Sequence, residues 1–222
     1  MENKKRSKAT KSGNKRKVLI LIFILLIAIL LILFAMKIGK NNDQNGRRKN
    51  VVDEIKSFDY SVSDTDTKLF KDTFKELKKE LSKSNVDKKN YASLISKLFI
   101  IDFYTLSNKS NVNDVGAVQF VYSSYKTDFV DIARTGIYKQ VQSNLDNNRT
   151  QKLPEVESVT IESIEEVIPS SILEHKDFRN VTEANAYEIK VNWTYKESND
   201  FQDSATILVV PDKDKLSVAK LD

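Results

Sequence analysis

From Val18 to Met36 the chain carries no charge, amide or hydroxyl. As a helix rising about 1.5 Å per residue this run spans about 28 Å, close to the hydrocarbon thickness of a bilayer. A cleavable leader has a shorter apolar region, about 7–15 residues, followed by a small-x-small site. The run here is longer, and the sequence that closes it, "FAMKIGK", offers no such site. A core helix would carry polar residues on one face, whereas this one is apolar all round. The pattern predicts a permanent transmembrane anchor over residues 18–38.

Beyond it the pattern changes twice. "GKNNDQNGRRKN" at 39–50 has two glycines and no large apolar residue, which reads as a flexible tether. The tether is placed at 39–62 and a single exported domain at 63–222. In "DTDTKLFKDTFKELKKELSK", Phe70, Phe74, Leu77 and Leu81 recur with helical period, with Asp64 or Thr65 as N-cap. A more apolar second helix is expected from about Asn90 to Leu106, and a third from about Thr127 to Asn144 with Phe129, Val130, Ala133, Ile137 and Val141 on one face. The apolar run within 112–122 fits strand or helix equally.

After residue 150 the period becomes two. Tyr187, Ile189, Val191, Trp193 and Tyr195 alternate with Glu188, Lys190, Asn192 and Thr194, the mark of a half-buried antiparallel strand. "EVESVTIESIEEVI", between Pro154 and Pro169, predicts a strand before it. "DSATILVV" and "KLSVAKL", joined by the turn "PDKD", predict a hairpin after it. The expected fold class is α+β: about three helices packed on a curved antiparallel sheet of about four strands.

Charge refines this picture. Residues 1–40 hold ten Lys/Arg and one acid, so the formal +5 of the whole chain leaves −4 on residues 41–222. The basic residues of 1–17 mark a cytoplasmic tail by the positive-inside rule and suit it to anionic lipid headgroups. The C-terminal domain is then extracytoplasmic, and its mild acidity disfavours nucleic-acid binding. The absence of cysteine excludes disulfides, thiolate metal sites and a Cys nucleophile. With Lys far more abundant than Arg, the composition suits a bacterial envelope protein.

The order of basic tail, single span, tether, helices and antiparallel sheet over residues 18–222 resembles the bitopic VirB-type assembly factor of type IV secretion and conjugation systems. The resemblance implies a cystatin-like, or nuclear-transport-factor-like, exported domain. It also implies a scaffold that self-associates and contacts other envelope proteins of a DNA-transfer channel.

Residues that could carry chemistry are few. His175 is the only histidine, and no G-x-S-x-G, H-E-x-x-H or P-loop pattern accompanies it. It reads as a surface residue. "DTDTK" and "PDKDK" pair aspartates but lack the Gly and distal Glu of a calcium loop, so a helix cap and a turn explain them. Glu165 and Glu166 are adjacent in a strand and point to opposite faces. Asp102 is awkward, because it lies within about 40° of Tyr91, Ile95 and Leu98 on the helical wheel. It could point into a helix–sheet cavity, where desolvation would raise its pKa for proton transfer, or make a structural bond to Arg134, Tyr104 or a backbone amide. Asp102, Tyr91, Arg134 and Trp193 are therefore the pocket candidates. No catalytic residue, metal or cofactor is expected. The leading expectation is a membrane-anchored, non-enzymatic scaffold. Its alternative is a tethered module holding a small apolar ligand or peptide between helices and sheet.

Overall fold

A computed structural model describes residues 49–198 and 200–222. The expected cytoplasmic tail, the transmembrane anchor and the tether as far as residue 48 lie outside them. Among the described residues no helix is long and apolar enough to cross a membrane.

The domain is α+β. Strands β1 (Val51–Ile55) and β2 (Tyr60–Ser63) form a two-stranded hairpin. Helices α1 (Lys68–Leu81), α2 (Lys88–Tyr104) and α3 (Lys126–Thr135) follow, then β3 (Val156–Val167), β4 (Ala186–Tyr195), β5 (Ser204–Asp212) and β6 (Lys215–Leu221). The last four form one antiparallel meander in the order β3-β4-β5-β6.

Helix α2 organises the core because it is apolar on more than one side. Tyr91, Ala92, Leu94, Ile95, Leu98, Phe99, Ile100, Ile101, Phe103 and Tyr104 are all buried, so α2 needs cover from two directions. The sheet supplies one side and α1 the other. α1 is amphipathic and buries Phe70, Phe74 and Leu77 while its Lys and Glu face water. The two helices are tied at one end by Glu80, which accepts hydrogen bonds from the Asp87 amide (2.9 Å) and Asn90 Nδ2 (2.5 Å). Asp87 caps α2 through the amides of Lys89 and Asn90. Along β4 the alternation holds as expected, with Tyr187, Ile189, Val191 and Trp193 buried against α2 and Lys190, Asn192 and Thr194 exposed.

Three expectations need correction. The N-cap of α1 is Thr67, whose Oγ1 accepts the Phe70 amide; Asp64 instead accepts from the backbone and side chain of Asn50. The end of the expected tether is folded. Tyr60 and Val62 enter the core, and the Tyr60 hydroxyl donates to the Leu216 carbonyl at 2.8 Å. Lys215 fixes the hairpin further through the Phe58 and Gln119 carbonyls. The third helix stops at Thr135, because Gly136 takes a non-helical conformation and the chain turns to bury Tyr138.

Segment 112–122 is neither helix nor regular strand. Gly116 lies against the Asp102 carbonyl, Ala117 takes the left-handed conformation (φ 63°), and a 3₁₀ turn over Val118–Phe120 carries Phe120 into the core. Val121 then makes an isolated parallel bridge to Val218 on the β6 edge.

A Cβ at Gly116 would stand 2.2 Å from the Asp102 carbonyl oxygen. That oxygen belongs to helical backbone and cannot move aside alone. Gly116→Ala is expected to destabilise the domain by about 3 kcal/mol, read as a lowered urea midpoint at unchanged slope. An unchanged midpoint would show that the loop does not depend on this approach.

Candidate functional site

The structure does not gather the four pocket candidates into one place. Tyr91 lies near the start of α2, its hydroxyl 3.0 Å from that of Tyr60 and accepting the Leu216 amide. Asp102 stands eleven residues further along the same helix, about 16 Å away along its axis. Trp193 packs on Tyr104 with ring centroids 4.7 Å apart. Arg134 sits on α3, 3.9 Å from Asp131.

Asp102 has two partners. One is the amide of Ala117 at 2.6 Å, which matches the expected backbone bond. The other is Lys109, which donates to Oδ1 at 2.5 Å and whose side chain is 0% exposed. Neither Arg134 nor Tyr104 takes that role. Burial pushes the Asp102 carboxyl up, but the Lys109 ammonium, with the Ala117 amide, outweighs burial and holds it below its ordinary value. A carboxyl held ionised in this way has no proton to donate near neutral pH. Nearby Asp66 shifts the opposite way: burial raises it, the Ser63 amide opposes this, and the Asp102 charge adds to the rise.

This network backs a polar pocket of about 390 Å³ lined by Lys49, Asp64, Thr65, Asn108, Lys109 and Asp114. Its charges are matched internally. Lys49 pairs with Asp114 at 2.7 Å, and Asp114 also accepts the Ser110 amide. Arg149 closes the loop by donating to the carbonyls of Ser107 and Lys109. The arrangement pins residues 105–117 to the end of α2.

A second concavity has a different character. It is a trough of about 430 Å³ between α3 and the outer edge of β6, with Phe99, Phe103, Phe129, Val121 and Val218 among its lining and Ile132 at its margin. Ile132 is 70% exposed. Phe129 stacks obliquely against Phe99 and Phe103 at 5.7 and 5.1 Å, so the floor is an aromatic cluster continuous with the core. Asp222 and Thr206 exchange both backbone hydrogen bonds. The amide and carbonyl of Leu221 must therefore face away from β5, toward the trough. None of the four sequence candidates lines it.

His175 is partly buried, not fully on the surface. Its ring meets Tyr125 edge-on at 5.1 Å, and its Nδ1 lies 3.4 Å from Asp177. The paired aspartates also have structural tasks. Asp66 accepts the Ser63 amide, and Asp212 accepts from the Ser123 amide and the hydroxyls of Ser123 and Ser217. Among the described residues no group of acidic and histidine side chains is arranged to hold a metal ion.

Sequence reasoning missed both Lys109 and the trough. Lys109 falls in a polar loop, "SNKSNVND", with nothing to mark burial. Ile132 gave a signal, as an isoleucine about 60° off the Phe129 direction and flanked by Asp131. No family model, curated protein or solved structure matches the chain.

The Asp102–Lys109 pair makes a pH prediction. The folded pKa of Asp102 lies below its unfolded value, so its contribution is complete above the unfolded range, about 4, and is lost as pH falls through the folded pKa. Lys109→Met leaves a buried, unpaired carboxylate and is expected to cost about 3 kcal/mol at pH 7. Asp102→Asn with Lys109→Met should cost less than Lys109→Met alone and flatten the acid limb of stability against pH. Additive losses in chemical denaturation would refute the coupling.

Proposed function

We propose that the chain is a membrane-anchored, non-enzymatic scaffold of the bacterial cell envelope, held by residues 18–38 with its folded domain outside the cytoplasm. The finer reading is a component of a conjugation or type IV secretion channel with a cystatin-like exported domain. The element order supports that finer reading: a long helix laid on a four-stranded antiparallel meander, behind a basic tail and an apolar run.

The observation that carries the scaffold reading is the open apolar trough beside the β6 edge. A site for a small apolar ligand is ordinarily closed over most of the ligand's surface. Here the rim residue Ile132 stands largely in water, and the outward backbone groups of Leu221 lie alongside. Aromatic floor, exposed aliphatic rim and the outward amide and carbonyl of Leu221 together suit a protein segment. The volume and apolar floor also favour the second reading, a small apolar ligand, and the same experiment separates the two.

A photo-crosslinking residue in place of Ile132, in the full-length protein in its native membrane, should capture a second copy or other envelope proteins. The same probe at Thr194, on the opposite face of the sheet, should not. Ile132→Asp should abolish capture by a crosslinker placed at Asp128 without moving the thermal midpoint by more than about 2 °C, as expected of a surface change. Recovery of uncrosslinked monomer, with lipid or another small apolar molecule extracted from the purified domain, would overturn the scaffold reading in favour of the ligand one.

A further inference from the structure

The other open edge of the meander has the opposite chemistry. β3 is twelve residues long, about 40 Å at strand rise, and only β4 pairs with it. On β4, the Trp193 amide donates to the Asp203 carbonyl on the β5 side. By alternation, Glu188, Lys190, Asn192 and Thr194 bond toward β3, where they face Glu165, Ser163, Thr160 and Ser158. The amides and carbonyls of Val159, Ile161, Ile164 and Glu166 consequently point off the sheet. Among the described residues nothing pairs with them.

The segment that carries this edge is acidic. Glu155, Glu157, Glu162, Glu165 and Glu166 fall in residues 153–173, which contain no basic residue. Glu155 and Glu166 find Lys196 and Lys89 elsewhere in the domain. Glu157, Glu162 and Glu165 are exposed, and among the described residues no ion pair reaches them. Glu165 also stands directly opposite Glu188 in the register, a like-charge cross-strand pair that is itself destabilising. Glu157 and Glu162 occupy the two register shifts of the strand, where a bulge re-aims the side chain.

Charged edges and bulges are also how sheets avoid joining their own copies. An all-acidic row does this for a second copy, since antiparallel β3–β3′ pairing would set glutamates against glutamates. The same row selects the opposite sign. We propose that the free edge of β3 is a docking edge for an extended, lysine- or arginine-bearing segment of a partner protein, added as a fifth strand beside β3. Its backbone would meet the outward groups of Val159, Ile161, Ile164 and Glu166, and its basic side chains would neutralise Glu157, Glu162 and Glu165. This surface is separate from the trough at β6, and the inference stands whether or not the trough docks a protein.

The test uses the full-length protein in nanodiscs of neutral lipid and three twelve-residue peptides: alternating Lys/Val, alternating Glu/Val, and alternating Lys/Pro. The last has the lysine charge, but every second residue lacks an N–H and is held at φ near −65°, which disfavours a regular strand. The Lys/Val peptide is expected to bind at least about tenfold more tightly than the other two, from three opposite-charge cross-strand pairs plus the backbone ladder. It should slow hydrogen exchange at the amides of Val159, Ile161, Ile164 and Glu166, and bind more weakly as salt rises. The surface triple variant E157K/E162K/E165K should lose about tenfold for Lys/Val and gain for Glu/Val. Equal binding of Lys/Pro and Lys/Val, unchanged exchange at those four amides, or no binding at millimolar peptide would each overturn the proposal.

Discussion

The rest of the domain follows from an α2 that cannot face water on either of two sides. A helix that buries ten apolar residues over five turns must lie inside a layered structure, and a chain of this size has two ways to cover it: another helix and a sheet. α1 has the right single stripe for one side and the meander has the right alternating face for the other. The N-terminal hairpin and the loop 105–125 then fill what those layers leave open, through Tyr60 and Phe120, whose rings meet 5.3 Å apart. The Asp102–Lys109 pair serves the same end. It is a charged contact set into the apolar face of the helix, and it fastens the loop that brings Phe120 and Val121 into place.

What could be read from the sequence divides along that line. Elements whose pattern is set by one buried face were legible: the α1 stripe, the apolar character of α2, the strict alternation of β4, and a β3 bounded by Pro154 and Pro169. Elements defined by what they pack against were not. Val51 and Val52 are exposed, so β1 has no apolar alternation, and β2 contributes only two buried apolar positions to a short polar stretch. The end of α3 was hidden because Ile137 and Val141 keep a helical spacing from Ala133, yet reach the core through a turn. For the site, Asp102 was singled out correctly as an acid needing a partner. Its ionic partner could not be named, since a lysine in a loop seven residues later looks like any other surface lysine.

The position of Asp102 also bears on what kind of protein this is. A lone acid on an apolar helix invites a catalytic reading when it faces an open cavity and its pKa rises. Here it faces an ammonium with no exposure of its own, and the local field keeps it ionised. Its chemistry is spent on holding backbone, as is that of Asp212, Asp66 and Glu80. These buried acids are occupied with amides and lysines of their own chain.

The surface is organised by the meander itself. Four strands in sequence order leave two edges, and each ends differently. β6 is partly covered by Val121, and beyond that point its backbone opens beside an aromatic floor. From Val159 to Glu166 the outer edge of β3 has no backbone partner among the described residues, and the strand is lined with glutamate. An apolar edge and an acidic edge on one sheet cannot recognise the same partner, and the acidic one resists pairing with its own copy. A sheet with two equivalent edges would tend to polymerise. A sheet whose edges differ in this way could hold two unlike neighbours in fixed relative orientation, with α2 as the rigid element between them, which is what the proposed scaffold role would require.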